Sequence, residues 1–221
     1  MLYLQGKTSI IGMHPNRGNF AAELVRRAQR AGDDTNVRTI GVWEFVGLTG
    51  EWSRVLALYE YADGWADICR QIRQIMQQPS PDLAEIYRLA DSMRSGGVDD
   101  LLESLPGCPT LDDLRGTEHG PLLVAETARV PAGCEDAYAA ELRKSFGPVA
   151  SRHGLRLFGL YRHALTDDLV ISYWSADLAA YRSLMASGDA RRWHAGHRDL
   201  HTSWRHELWA AAKDSRFARP L

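Results

Sequence analysis

The histidine-rich segment RRWHAGHRDLHTSWRHELW, residues 191–209, has the residue types best suited to chemistry in this chain. It holds four of the eight histidines and three of the seven tryptophans. On a helix with about 100° per residue, His197 shares one apolar stripe with Trp193 and Trp204, whereas His206 falls on the opposite side. The helix is expected to end at about His201 or Trp204, and a last strand is expected near HELWAAA. Imidazole transfers protons near neutral pH, so His197 is the candidate acid–base residue of this segment.

Metal binding is the alternative use of these histidines, and their spacing argues against it. His197 and His201 are four residues apart, but the zinc-protease pattern H-E-x-x-H needs a glutamate where this chain has Arg198. The cysteines that a structural zinc site would add lie far away in the sequence, at Cys69, Cys108 and Cys134. The sequence therefore predicts no metal site and no cofactor, with haem ligation by one histidine as an alternative.

A second group of candidates lies on predicted strands in VRTIGVWEF and LRLFGLYRH. Alternate residues of a strand point to opposite faces, so Tyr161 and His163 share a face and are candidate catalytic groups. Aromatic residues at matching positions would form a pocket for a flat ligand if they project inward. These pocket candidates are Trp43, Phe45, Tyr59 and Trp174. The alternative is that these aromatic side chains only fill the core.

Two charged residues, Glu44 and Arg162, occupy the other face of the same two strands. In an enclosed pocket Glu44 would act as a general base and Arg162 would stabilise an enolate or phenolate oxygen. On the surface they would form ion pairs of small energetic effect. Glu126, in the strand LLVAETARV, has the same two alternatives.

The elements that must position these residues occur twice in the chain. FAAEL at 20–24 matches YAAEL at 138–142, and IGVWEF at 40–45 matches FGLYRH at 158–163 at the same separation. Each copy is a strand, a helix, a hairpin and a second helix, which is the ferredoxin-like motif. The sequence predicts an α+β fold in which two tandem ferredoxin-like modules pack sheet to sheet as an intramolecular α/β barrel.

The predicted domain organisation follows from this repeat. The first module covers 1–78 and the second covers 119–221. Between them, residues 79–118 are rich in Pro, Gly, Asp and Ser, which predicts a helical and loop extension that is mostly linker, with one helix near 81–95.

Composition excludes several classes of partner. There are 26 basic and 28 acidic residues, without the basic stripe that nucleic-acid binding needs. The first residues, MLYLQGKTSI, contain neither the apolar core of a signal peptide nor a membrane span. We therefore expect a cytoplasmic protein that binds neither nucleic acid nor membrane.

Two stretches resemble a known family. GVWEFVGLTGEWSRVLALYEYADGWAD, from Gly41, and RSLMASGDARRWHAGHRDLHTSWRHELW, from Arg182, resemble the NIPSNAP family within the dimeric α/β-barrel superfamily. This resemblance implies cofactor-free oxygenases and cyclases acting on polyketide or other aromatic substrates, haem enzymes with two such modules, or proteins without catalysis.

The expected function combines the residues with this resemblance. It is a small-molecule tailoring enzyme with a pocket between the two sheets: a cofactor-independent oxygenase, cyclase or isomerase that uses His/Glu acid–base chemistry on an aromatic or polyketide-like natural-product intermediate. The alternatives are a haem-binding enzyme of the same superfamily and a non-catalytic ligand-binding or scaffold protein. The substrate and the formation of a homodimer stay open.

Overall fold

The protein consists of two compact units. The first covers Met1–Leu101 together with Ala211–Arg216, and the second covers Leu102–Ala210 and continues at Phe217. In this computed structural model the described residues are 1–11, 16–31, 36–46, 53–77, 84–85, 88, 91–166 and 168–217.

The first unit has the ferredoxin-like order of elements. These are β1 (Leu2–Ile10), α1 (Asn16–Ala31), β2 (Val37–Phe45), β3 (Arg54–Tyr61), α2 (Trp65–Gln77) and β4 (Arg94–Ser104). The strands lie in the order β4-β1-β3-β2, and β3 is antiparallel to both β1 and β2. This order brings the first and last strands of the repeat side by side, as the ferredoxin-like motif requires.

Helix α1 covers one face of the first sheet. It buries Phe20, Ala21 and Val25, which lie within about one and a half turns and so share a face of the helix. They pack against apolar side chains of the sheet, among them Val42 and Ala57. Complete burial of one large side chain such as Phe20 contributes roughly 1.5–3 kcal/mol.

The second unit repeats the same topology. Its elements are α3 (Leu111–Arg115), β5 (Leu122–Arg129), α4 (Glu135–Glu141), one π-helical turn (Leu142–Phe146), α5 (Gly147–Arg152), β6 (Arg156–His163), β7 (Leu169–Ala176), α6 (Leu178–Ser187), α7 (Asp189–Gly196) and β8 (Ser203–Ala211). The strand order β8-β5-β7-β6 matches that of the first unit, with β5 antiparallel to β7 and β8. The expected α+β class and the two tandem ferredoxin-like modules are confirmed.

The segment expected to be mostly linker contains regular structure that the sequence analysis missed. Strand β4 lies within it, and its last residues, Leu102–Ser104, belong to the second unit and pair there with β6. About half of the helix predicted near 81–95 lies outside the described residues. Of the described residues in that range, 84–85, 88 and 91–93 are helical, and 94–95 already belong to β4. The polar and glycine-rich composition of β4 concealed the strand, because such residues have low strand propensity and their pairing is set by a neighbouring strand.

The end of the second unit differs from the helix predicted there. Gly188 has φ +73°, a left-handed conformation that separates α6 from α7, and α7 ends at Gly196. Strand β8 then pairs with β5 from Arg129↔Ser203 to Leu122↔Ala210. The last strand expected near HELWAAA is therefore present and contains His206, but the helix before it ends earlier than predicted. Among the described residues, no helix is both long and apolar enough to cross a bilayer.

Candidate active site

Four elements of the second unit direct polar side chains to one buried point. Glu126 lies on β5, directly opposite His206 on the neighbouring strand β8. His194 comes from α7 and Tyr138 from α4. The side chains meet between the sheet and the helices that cover it.

The carboxylate of Glu126 is the centre of this cluster. Its Oε2 lies 3.1 Å from Nε2 of His194 and 2.8 Å from Nε2 of His206, while Oε1 accepts a hydrogen bond from the Tyr138 hydroxyl at 3.1 Å. The side chains of Glu126 and His194 are each 1% exposed, and that of His206 is 6% exposed. Both carboxylate oxygens thus have partners inside the protein.

A second hydrogen bond connects the cluster to another histidine. Nδ1 of His194 lies 2.9 Å from Nε2 of His201, and Nδ1 of His201 lies 2.8 Å from the backbone carbonyl of His197. Because a carbonyl can only accept, Nδ1 of His201 carries a proton. We refer to Glu126, His194, His201, His206 and Tyr138 as the Glu126 cluster.

Electrostatics keep Glu126 ionised in spite of its burial. Burial alone would raise its pKa, but hydrogen bonds from His194 and His206 hold that pKa far below its usual range. Burial lowers the pKa of His194 and, together with the charge of Glu126, raises that of Tyr138. In the described part of the chain only histidines form ion pairs with Glu126.

An open cleft of about 750 Å³ borders the cluster. His194 and His201 line it, and the indole of Trp204 is stacked on the His194 ring with centroids 3.9 Å apart. Arg191 and Arg198 also line it, and among the described residues neither guanidinium has an ion-pair partner. The remaining lining residues are Ala195, Thr202 and Ser203. The cleft therefore combines positive charge, an aromatic surface and two histidines.

Aromatic packing fixes α7 over the sheet. Trp193 donates a hydrogen bond to Ser145 at 2.6 Å and contacts Phe146, whose ring centroid is 5.3 Å away. Phe146 in turn packs edge to face on Trp174 of β7. Ser145 and Phe146 lie in the π-helical turn, and such turns are frequent at functional sites. This packing holds His194 above Glu126.

The leading sequence candidate, His197, lies outside the Glu126 cluster. Its Nδ1 contacts the backbone carbonyl of Trp193 at 2.7 Å, and its ring is stacked on the Trp193 indole. Its Nε2 is 3.5 Å from Glu141, and the side chain is 27% exposed. It contributes to the cluster through its backbone carbonyl, which holds His201.

The other candidates of the second unit lie on two different faces. Tyr161 packs against Tyr173 on the face turned away from the helices of this unit, whereas Trp174 lies on the helix-covered face. Arg162 forms an ion pair with Glu103, and His163 accepts a hydrogen bond from a backbone amide. The structure does not bring Trp174 into one pocket with Tyr161.

The first unit shows a similar separation. Trp43 and Phe45 share a face, as predicted, and Arg54 lies over the Phe45 ring. Tyr59 lies on the opposite face, against the α1 side of the sheet. Leu56 pairs with Trp43, and Tyr59 is three residues further along β3, so strand alternation turns it to the other face. Glu44 is held by Arg17 of α1 at 2.8 Å, so it forms an ion pair rather than facing a cavity.

Sequence reasoning did not combine the residues that the structure brings together. Glu126 was recognised as a polar residue in an apolar strand, but without a partner. Reading 203–211 as a strand would have placed His206 on the same face as Trp204 and Leu208, which alternate with polar residues. Helical spacing obscured this alternation.

Haem does not fit the histidines of the cleft. Nε2 of His194 points at a carboxylate enclosed by Tyr138 and His206, not into an open slot. His201 uses both ring nitrogens in hydrogen bonds. Neither histidine therefore offers a free nitrogen to a haem iron in the cleft.

Comparison with known proteins shows the fold. No family model and no curated protein matches the sequence. A candidate monooxygenase from Fusobacterium nucleatum subsp. nucleatum has a similar structure, with TM-score 0.62 and 8% identity over 96% of this chain and 92% of that chain. An anthrone oxidase-like protein has TM-score 0.58 and 15% identity, over 100% of this chain and 96% of that chain. A chlorite dismutase from Candidatus Nitrospira defluvii has TM-score 0.53 and 13% identity, over 96% of this chain and 92% of that chain.

Proposed function

We propose that this chain is a small-molecule enzyme of the oxygenase or oxidase type, which takes an acidic aromatic compound into the cleft and removes a proton there. The proposal keeps the acid–base chemistry expected from the sequence but assigns it to the Glu126 cluster. The names of two structurally similar proteins, a candidate monooxygenase and an anthrone oxidase-like protein, agree with this class of reaction.

One observation carries the proposal: a hydrogen-bond chain runs from the cleft to a buried carboxylate. His201 lines the cleft, His194 connects it to Glu126, and each contact measures 2.9–3.1 Å. A carboxylate behind an imidazole orients it and stabilises its charged form. His201 is the proposed catalytic residue: its Nε2 would exchange the contact with His194 for the substrate proton, while Nδ1 stays bound to the His197 carbonyl. Glu126, which contacts His194, is a positioning residue.

The two arginines of the cleft complete the chemistry. Arg191 and Arg198 offer planar, permanently charged donors for the oxygen of an enolate or phenolate. Molecular oxygen is the proposed co-reactant. The carbanion adds O2 to form a hydroperoxide after protonation, and loss of water leaves a carbonyl, so that one CH2 and one O2 give one C=O and one H2O.

The test compares two histidine variants with anthrone as the probe substrate. Oxygen uptake should fall by about 100-fold or more in His201→Asn, in the range typical for loss of a general base. His163→Asn should keep the wild-type rate, because this side chain lies at the end of β6 and does not line the cleft. Equal rates in both variants, or no turnover in the wild type over a panel of acidic phenols and anthrones, would contradict the proposal.

A further inference from the structure

We propose that Glu126, His194 and His206 form a binding site for one divalent first-row transition-metal ion, of the class Zn²⁺, Mn²⁺ or Fe²⁺. One oxygen and two imidazole nitrogens from these residues all lie within 4.8 Å of one another. Two histidines and one carboxylate are a ligand set that such ions prefer. Metal binding is measured without turnover, so this inference and the proposed function can fail separately.

The distances suit a shared ion. The Oε2 atom lies 2.8 and 3.1 Å from the two Nε2 atoms. Ligand atoms bound to one ion at about 2.0–2.2 Å are about 3.0 Å apart in octahedral and about 3.4 Å apart in tetrahedral geometry. The two nitrogens lie within 4.8 Å of each other, so binding draws them together where they are further apart than this. An ion therefore fits above this triangle with small side-chain movements.

The charge of the site also favours a cation. Glu126 is a fully buried anion, and in the described part of the chain no lysine or arginine pairs with it. A buried charge is expensive unless it is paired. A divalent ion between the carboxylate and the two imidazoles would supply the missing positive charge.

The direction of the hydrogen bonds gives the strongest argument. The carbonyl of His197 fixes a proton on Nδ1 of His201, so a neutral His201 must accept at Nε2. His194 then donates from Nδ1, and its Nε2 presents a lone pair to the carboxylate of Glu126 at 3.1 Å. Two facing lone pairs need a cation between them. A proton on Nε2, which makes His194 an imidazolium, supplies it in the hydrogen bond that lowers the Glu126 pKa, and a metal ion bound to both atoms supplies it with His194 neutral.

The surrounding contacts resemble those of built metal sites. His201 holds the outer nitrogen of one ligand, and Tyr138 holds the second oxygen of the carboxylate, as outer partners of metal ligands commonly do. In the described residues Nδ1 of His206 has no hydrogen-bond partner. Nε2 of His206 donates to Glu126 at 2.8 Å, and the unoccupied Nδ1 can take that proton, which frees Nε2 as a metal ligand.

The experiment uses the full chain, stripped with EDTA and dialysed. Titration with Zn²⁺ by calorimetry and with Co²⁺ by visible absorption should show one ion per chain. Glu126→Gln and His206→Asn should lose the Co²⁺ spectrum. His201→Asn should weaken Zn²⁺ binding by about 10- to 100-fold, since it removes an outer partner only.

A matched control guards against metal binding at the surface. His153 contacts Asp189 at 2.8 Å in an exposed region of the second unit, and His153→Asn should bind Zn²⁺ and Co²⁺ as the wild type does. Circular dichroism checks that each variant is folded. The inference is overturned if the wild type binds neither ion stoichiometrically, or if folded His206→Asn and Glu126→Gln bind both as tightly as the wild type.

Discussion

Glu126 and Asp189 show how position decides what a carboxylate does. Glu126 is enclosed by two histidines and a tyrosine. Asp189 begins α7 near the surface, where His153 and Arg192 contact it. Hydrogen bonds to charged or polar neighbours lower the pKa of both, but only Glu126 is linked to a cleft. The functional assignment therefore depends on connection to the cleft and not on the direction of a pKa shift.

The pH behaviour of Asp189 can be checked directly. Its hydrogen bond to His153, followed by that to Arg192, lowers its pKa to about 2. A carboxyl whose folded pKa is depressed stabilises the fold above its unfolded pKa, near 4, and loses that contribution as the pH falls towards 2. His153→Asn should move the Asp189 pKa upward in a carbon-detected NMR titration. An unchanged pKa would show that His153 is not its main cause.

At the scale of elements, the break between α6 and α7 places His194. Gly188 adopts φ +73°, and a Cβ there would meet the Arg192 side chain at 3.2 Å. The helix that follows lasts only to Gly196, so the chain has room to turn and enter β8. A single long helix could not present His194 and His206 to the same carboxylate.

Two glycine substitutions test this break. Gly188→Ala should lower the free energy of unfolding by about 1–2 kcal/mol, the cost of a left-handed conformation for an L residue. Gly196→Ala is the matched control, since nothing lies within 4 Å of its added Cβ, and it should be neutral or stabilising by up to about 1 kcal/mol. Urea unfolding followed by circular dichroism measures both. Equal effects would argue against the role of the left-handed turn.

At the scale of the whole molecule, the two units share a topology but differ in their buried polar groups. In the first unit Tyr3 and Arg38 contact the buried Glu60, so a permanent cation pairs with that carboxylate. In the second unit histidines surround Glu126. The repeat therefore carries one fold, and the candidate site belongs to the second copy.

Metal binding should be visible in the stability of the whole chain. An ion that binds only the folded state stabilises it by about 2.7 kcal/mol at 100 times its dissociation constant. Thermal unfolding in Zn²⁺ should therefore occur at a higher Tm than in EDTA, and His206→Asn should show no such difference. The same Tm shift in wild type and His206→Asn would assign the stabilisation to another site.

The sequence by itself determined the repeated order of strands and helices, because apolar periodicity and turn residues are local signals. Strand alternation, which is also a local signal, places Trp43 and Glu44 on opposite faces of β2. Only the tertiary structure decided where helix changes to strand after Gly196, since that boundary depends on pairing with β5. The two histidine partners of Glu126 lie 68 and 80 residues away along the chain. Such contacts arise from strand register and helix packing, which no local pattern encodes.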